Sequence, residues 1–174
     1  MRNEEAALHI VKEYTTVPVP EVFASRYSTV NGTAFGHIWM DYVQRSQLDE
    51  LWDSLDKSSK KRVCNEIWGF IEQLRSIPKL ADLEHLYQCG ADGSASRDKL
   101  LTEAATPSVT LLDDESLRRH IKECYLYCHG GPYGEYLPDY LPHLSMSVFT
   151  QNDLAPRNIF VDKPSGTISG LIDW

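Results

Sequence analysis

The sequence has no apolar run that approaches the roughly 20 residues needed to cross a bilayer. Its first ten residues, MRNEEAALHI, place one arginine and two glutamates before any apolar stretch, which is not the pattern of a signal peptide. These two absences predict a protein that is neither inserted in a membrane nor secreted. The cytosol is therefore the expected compartment.

Basic residues are also in deficit. The 174 residues include 17 lysines and arginines against 25 aspartates and glutamates, which gives a net charge of -8. Nucleic acids and anionic membrane surfaces attract basic proteins, so this charge argues against either as the main partner. A hydrophobic content of 42% and a charged content of 24% are ordinary for a globular chain that can bury a sizeable core.

Cysteine is scarce as well: Cys64, Cys89, Cys124 and Cys128 are too few and too scattered for a disulfide framework. Cys124 and Cys128 with His129 leave a metal site as one interpretation. The two cysteines also fall on one face of a predicted helix, where small apolar core residues are expected. We favour the core interpretation.

The first part of the chain predicts a helix and then a hairpin. Residues 3–14 have apolar residues on one face and acidic residues in the first turn, which favours a helix. The prolines of TTVPVPEVF require an extended connection after it. Asn31-Gly32 is a strong turn signal and predicts a hairpin over residues 26–43.

Two helices are then predicted from their capping signals. Ser46 and Asp49 resemble a capping box at the start of the first helix. Ser58 or Ser59 is the expected cap of the second, which is predicted to run to about Ser76.

The second half of the chain predicts a loop, a helix and three short strands. Residues 88–108 are polar and are expected to form a loop region. A helix is then predicted to begin at Asp113 or Asp114 and to be closed by a Gly-Gly pair. MSVF at 146–149 predicts a short strand. NIFVD and TISGLI predict two more, joined by the turn KPSG in a hairpin.

The stretch FTQNDLAPRNIFVD, residues 149–162, and the later LIDW contain residue types suited to phosphoryl transfer. That reaction needs a group that orients the acceptor hydroxyl and ligands that hold magnesium against the phosphates. Asp153, in a loop after a predicted strand, is a candidate for the first role. Asn158 and Asp173 offer oxygen ligands that suit magnesium, and the hairpin between them can bring them together. D-L-x-x-x-N followed by a later aspartate is the pattern of the protein-kinase catalytic loop.

The alternative is that these are three ordinary loop residues, because Asp and Asn are enriched in turns. Their context favours the functional interpretation. An apolar strand precedes Asp153, a strand follows Asn158 directly, and the hairpin ends in two apolar residues and an aspartate.

With these motifs the sequence resembles the aminoglycoside phosphotransferase family, relatives of choline kinases with a protein-kinase-like fold. The family's catalytic loop, approximately H-G-D-L-x-x-x-N, stands here as QNDLAPRN, and its later metal motif as LIDW. NEEAALHIVKEYTTVPVPEV is similar to the family's first helix and the Pro-Val-Pro after it. HIWMDYVQRSQLDELW is similar to its hinge strand and the next helix. The resemblance covers nearly the whole chain and is weakest over 88–146.

The resemblance implies an α+β, protein-kinase-like fold. A partial N-lobe with the hinge would span 1–43, and an incomplete, mainly helical C-lobe with the catalytic-loop β hairpin would span 44–174. It also implies ATP as the phosphate donor, Mg2+ as the cofactor and a hydroxyl of a small molecule as the acceptor.

The resemblance further implies roles for single residues of the loop and the first helix. Asp153 matches the catalytic aspartate, and Asn158 and Asp173 match the magnesium ligands. Glu4, with Glu5 as the runner-up, matches the helix glutamate that pairs with a phosphate-binding lysine. For both glutamates the alternative is a plain acidic residue in the first turn of a helix.

At the hinge, the resemblance places the backbone of Asp41 and Val43 against adenine and makes Met40 line the pocket. The alternative is an ordinary buried strand. Three departures from the family pattern stand beside these matches. Gln151-Asn152 replaces His-Gly, Arg45 replaces the glycine after the hinge, and no glycine-rich loop or lysine strand precedes Glu4.

These departures, and a chain that stops at Trp174, lead us to expect a fragment of a phosphotransferase that lacks both ends. Such a fragment is expected to have little activity on its own. A catalytically inactive, pseudokinase-like binding module or a truncated gene product is the alternative.

Overall fold

The computed structural model describes residues 2–31, 33–44, 46–96, 110–128, 130–163 and 165–174. The chain forms two compact units, one made of Met1–Ile77 with Val148–Trp174 and one of Pro78–Ser147. The boundary expected between the N-lobe and the C-lobe, at residues 43 and 44, falls inside the first unit and stays a prediction. The described part of the chain is α+β, with helices and two small antiparallel sheets.

The first unit begins with helix α1 (Arg2–Tyr14), so the helix predicted over 3–14 is confirmed. One face is apolar and is buried, as the spacing of its residues predicts. The buried residues of α1 are Ala7, Leu8, Ile10 and Val11. The Pro-rich segment that follows has no regular structure up to Glu21.

Strands β1 (Val22–Val30) and β2 (Thr33–Met40) form the predicted hairpin. Val30 pairs with Thr33, so the connection has two residues. Asn31 has a φ of 50°, the left-handed conformation that such tight turns need and that asparagine tolerates. Gly32 lies outside the described residues. The first strand begins four residues before the predicted start of the hairpin at residue 26.

The capping box predicted at Ser46 is wrong, and the helix after it is shorter than predicted. Strand β3 (Ser46–Gln47) occupies this position, and a single helical turn, α2 (Leu48–Leu51), follows it without a side-chain cap. The helix begins at Leu48 with Gln47 in the N-cap position, so Ser46, which pairs with Val161, lies one residue too early to cap it.

Helix α3 (Lys57–Arg75) confirms the second predicted helix, but not its cap. The side chain of Asp56 accepts a hydrogen bond from the backbone N–H of Ser59 at 2.7 Å. Ser58 and Ser59 already lie in the first helical turn, and Asp56 has the extended backbone that an N-cap requires.

The predicted hairpin near the C-terminal end is also confirmed. It consists of β4 (Ile159–Asp162) and β5 (Thr167–Leu171), which pair antiparallel from Ile159 with Leu171 onward. The strand predicted at 146–149 is wrong, because those residues form no strand and β3 occupies the other edge of β4. The paired ends of β4 and β5 place residue 158 beside residue 172.

The second unit contains helix α4 (Asp114–Tyr127), which confirms the predicted helix start. Asp113 caps it: its side chain accepts from the Ser116 backbone at 2.7 Å, and the Ser116 side chain accepts from the Asp113 backbone at 3.2 Å. A short helix, α5 (Leu137–Tyr140), follows. Of the loop predicted over 88–108, residues 97–108 lie outside the described part.

The cysteines of α4 agree only in part with the core interpretation. Cys124 is buried, with the His120 ring 3.8 Å from its sulfur, whereas Cys128 is exposed because it lies beyond the last helical turn. His129 lies outside the described residues. Among the residues that the structure describes, no group of three or more His, Cys, Asp or Glu side chains is arranged to hold a metal. None of the helices described is long and apolar enough to span a bilayer.

Candidate functional site

The hairpin of β4 and β5 brings Asn158 next to Asp173. Asn158 ends a 3-10 turn just before β4 and is only 6% exposed. Its carbonyl accepts a hydrogen bond from the backbone N–H of Ile172 at 3.1 Å. Its side-chain Nδ2 lies 3.5 Å from the Oδ2 atom of Asp173. The two residues predicted as magnesium ligands are therefore neighbours.

The same amide group also contacts Asp153. Nδ2 of Asn158 donates to the Asp153 carbonyl at 2.9 Å and to its Oδ2 atom at 3.2 Å. Nδ2 faces three acceptor oxygens, and an amide turned the other way would place Oδ1 against them, which is unfavourable. The Oδ1 atom of Asn158 accepts no hydrogen bond from the described residues and remains available to a ligand. Asp153, Asn158 and Asp173 thus form one cluster.

A residue that was not expected at this cluster is Arg157. Its guanidinium forms an ion pair with the Asp153 carboxylate, four residues earlier in the chain. Both side chains are partly exposed, at 57% and 45%. The contact is therefore a solvent-facing one, and such pairs are weak. The spacing of the two residues in the loop is the signal that could have indicated it.

Asp173 has an unusual backbone, with a φ of 63° that non-glycine residues rarely adopt. Gln151 holds it from the loop that carries Asp153: its Nε2 donates to the Asp173 carbonyl at 2.9 Å and lies 3.5 Å from that of Ile172. Trp174 adds an indole N–H bond to the Leu171 carbonyl at 3.0 Å.

A cleft of about 580 Å³ adjoins this cluster. Six of the seven predicted site residues line it: Glu4, Met40, Asp41, Val43, Asn158 and Asp173. Asp153, the seventh, does not line the cleft, although Asn158 connects it to the cleft wall. Sequence reasoning missed Gln47 and Glu50, which also line the cleft and which lay in the helix start that was predicted wrongly.

The segment predicted as the hinge is anchored at one end. Asp41 donates its backbone N–H to the Glu21 carbonyl at 2.9 Å, and its side chain accepts from the Glu21 N–H at 3.1 Å. The backbone N–H of Val43 has no hydrogen-bond partner among the described residues. The Val43 side chain packs on Gly170 of β5 so closely that a Cβ atom there would lie 2.8 Å from its Cγ1.

The two glutamates of α1 differ in their surroundings. Glu4 lines the cleft, and burial raises the pKa of its carboxyl, with a further contribution from the charge of Asp173. Glu5 does not line the cleft. It accepts hydrogen bonds from the Tyr27 hydroxyl at 2.6 Å and the Ser25 hydroxyl at 2.7 Å, which tie α1 to β1. This geometry fits Glu4 better than Glu5 to a role in the cleft.

The donor atoms at the cluster fit a magnesium ion with a nucleotide. Asp173 offers a carboxylate and Asn158 a free amide oxygen, and Mg2+ prefers hard oxygen ligands of this kind. Two protein ligands suit this ion, because Mg2+ usually completes its coordination with phosphate oxygens and water.

An α+β fold in which a hairpin returns an aspartate to a D-L-x-x-x-N loop is typical of a protein-kinase-like phosphotransferase. The sequence matches the family described as APH, phosphotransferase enzyme family, over residues 1–174, and the chain belongs to that family. The predicted family and fold class are confirmed. No curated protein matches the sequence.

Proposed function

We propose that this member of the phosphotransferase family uses ATP and Mg2+ and transfers the γ-phosphate to a hydroxyl of a small molecule. The proposal includes the cytosol as its compartment and excludes nucleic acid and membranes as its main partners. One observation carries it: a single buried amide, that of Asn158, contacts both Asp153 and Asp173. An acceptor-orienting group and a metal ligand are thereby held side by side.

The donor would bind in the cleft. Its volume, about 580 Å³, lies within the range of ordinary small-ligand sites. The free backbone N–H of Val43 is suited to an adenine ring nitrogen, and Met40 lines the same wall. Asn158 and Asp173 line the same cleft, and the phosphates would lie beside them.

The charges in the cleft favour the magnesium complex of ATP over the free nucleotide. Glu4, Asp41, Glu50 and Asp173 all line it, and together they would repel a bare polyphosphate. Asn158 Oδ1 and the Asp173 carboxylate would hold Mg2+, which neutralises phosphate charge when bound. Nucleotide binding should therefore depend on Mg2+.

The acceptor would approach from the solvent side of Asp153, which is 45% exposed and lies outside the cleft wall. Its carboxylate would accept a hydrogen bond from the hydroxyl and orient the oxygen toward the phosphate. Arg157 occupies the Oδ2 atom of this carboxylate together with Asn158. The hydroxyl would use the remaining oxygen or displace Arg157.

The ion pair between Arg157 and Asp153 also favours a second candidate, a nucleotide-binding module without catalysis. A carboxylate that stays paired with a guanidinium orients an acceptor poorly. The two candidates make the same prediction for nucleotide binding and opposite predictions for turnover.

The test is a calorimetric titration of the protein with ATP, with and without Mg2+, beside a turnover assay on a panel of small hydroxyl compounds. Asp173→Ala should weaken binding of the magnesium nucleotide, and Asp153→Asn should keep binding and abolish transfer. Asp82→Asn, an exposed aspartate of the second unit, is the matched control.

Binding without turnover in the unchanged protein would favour the non-catalytic module. No magnesium-dependent binding by the folded protein would refute both candidates. Transfer that survives Asp153→Asn would refute the role given to Asp153.

A further inference from the structure

We infer that Gln151 is a positioning residue: its side-chain amide holds the backbone of Asp173 and so aims that carboxylate at Asn158. The contact itself is independent of the proposed function, whereas its use for a magnesium nucleotide rests on that function. Gln151 stands where the resemblance places a histidine, and its side-chain amide, unlike an imidazole, does not titrate.

The direction of the amide follows from its partners. The Nε2 atom of Gln151 faces two carbonyl oxygens, those of Asp173 at 2.9 Å and Ile172 at 3.5 Å. A flipped amide would set Oε1 against both carbonyls, which is repulsive. Nε2 must therefore be the atom that faces the loop of Asp173.

The other half of the amide has no partner. The Oε1 atom of Gln151 is buried, and no residue in the described part of the chain donates a hydrogen bond to it. Native proteins rarely leave a buried acceptor unpaired, because its lost hydration is not replaced. A methionine of similar length would avoid that cost. Stability alone therefore does not explain a glutamine here. The role of the side chain lies in its Nε2 donor.

That task is set by the conformation of Asp173. A φ of 63° is unfavourable for aspartate and persists only where neighbouring contacts impose it. Gln151 binds the carbonyl of Asp173 and approaches that of the residue before it, so it constrains the peptide group on which the carboxylate direction depends. The Ile172 N–H, bonded to the Asn158 carbonyl at 3.1 Å, constrains the same segment from the other side.

Gln151 also lies two residues before Asp153. One side chain therefore links the loop of Asp153 to the loop of Asp173. The rings of Phe149 and Trp174, with centroids 6.5 Å apart, bring the same two segments of the chain together. A change that removes the donor should loosen Asp173 relative to Asp153 without opening the core around Ile159.

The experiment compares Gln151→Met, which removes both halves of the amide, with Gln151→Glu, which keeps an acceptor and removes the donor. Gln151→His restores a ring N–H donor and is the rescue variant. Gln88→Met, in the second unit, is the matched control. The first measurement is hydrogen exchange of the Ile172 amide in the protein without ligand, and the second is affinity for the magnesium complex of ATP.

We expect Ile172 to exchange about tenfold faster in the Met and Glu variants, the effect of losing roughly one hydrogen bond, and to recover in the His variant. Magnesium-nucleotide affinity should fall in the same order. Unchanged Ile172 exchange in both Gln151→Met and Gln151→Glu, with each variant folded, would overturn the inference. Faster exchange in a protein that binds no nucleotide in any form would support the positioning contact and refute the proposed function.

Discussion

Replacing Gly170 with alanine should displace Val43 and the segment predicted as the hinge. The backbone of Gly170 is not in the left-handed region, so alanine is conformationally allowed there. Its Cβ would however lie 2.8 Å from Cγ1 of Val43, closer than real Cβ atoms approach, and 3.2 Å from Cγ2, which is a tight contact. Valine is stiff about χ1, so relief requires the hinge backbone at Val43 to move. Gly170→Ala should therefore both destabilise the first unit and weaken nucleotide binding.

The size of the effect follows from two opposing terms. Overpacking a well-packed site costs about 1–3 kcal/mol. Replacing glycine by alanine at a compatible backbone adds about 0.4–1 kcal/mol to the unfolding free energy, because it lowers the conformational entropy of the unfolded chain. The net loss of unfolding free energy should be between about 0 and 2.6 kcal/mol, with a middle value of about 1.3 kcal/mol. In a Val43→Ala background the nearest remaining atom of residue 43 is its Cβ at 3.6 Å, an ordinary contact. There Gly170→Ala should be neutral or stabilising.

A double-mutant cycle in urea measures this reversal of sign. Gly69→Ala is the control, because a Cβ at Gly69 of α3 would meet nothing within 4 Å and alanine favours a helix. If Gly170→Ala destabilised the protein equally with Val43 in place and in the Val43→Ala background, the packing argument would be refuted. If Gly170→Ala destabilised the protein but left nucleotide affinity unchanged, the contact between Val43 and Gly170 would have no influence on nucleotide binding at the segment predicted as the hinge.

Hydrogen bonds from Tyr27 and Ser25 lower the pKa of Glu5, so its contribution to stability is present above the ordinary carboxyl pKa and is lost as pH falls through the lowered value. Glu5→Gln should therefore reduce the acid dependence seen in urea unfolding. Burial and Glu5 raise the pKa of Tyr27 to about 12, so its contribution to stability is present below pH 10 and is lost as the pH rises toward 12. Tyr27→Phe should therefore reduce the loss of stability seen between pH 10 and pH 12 in urea unfolding. Arg157→Gln should change acceptor KM by no more than about fivefold, since exposed ion pairs are weak, and a larger change would show a direct acceptor contact. Asp56→Ala should lower the urea midpoint of unfolding through the lost cap of α3.

Local patterns were sufficient for most elements of the fold. The apolar spacing of α1, the Asn31 turn and the hairpin of β4 and β5 each follow from residues close together in sequence. The cap of α3 was displaced by two or three residues, because Asp56 and the serines after it are all good caps and only the backbone distinguishes them.

Contacts between distant segments could not be predicted in the same way. Strand β3 exists because Ser46 pairs with Val161, a partner that no local pattern indicates. Arg118 is buried, at 7% exposure, because its guanidinium donates to carbonyls near the end of α5, including that of Pro142 at 3.1 Å. A charged residue in a helix is expected at the surface, and the carbonyls that accept from this one lie 20 to 24 residues further along the chain.

The candidate site follows the same division. Asp153 and Asn158 belong to one loop, and the hairpin that follows returns Asp173 to them, so a short pattern sufficed to bring the three residues together. Gln151, Arg157 and the packing of Val43 on Gly170 depend on side-chain directions that emerge only in the fold. We expect these contacts to set the direction of the Asp173 carboxylate, the availability of Asp153 and the position of the segment predicted as the hinge. The motif in the sequence therefore identifies the class of chemistry, and these packing contacts determine whether the site is competent to perform it.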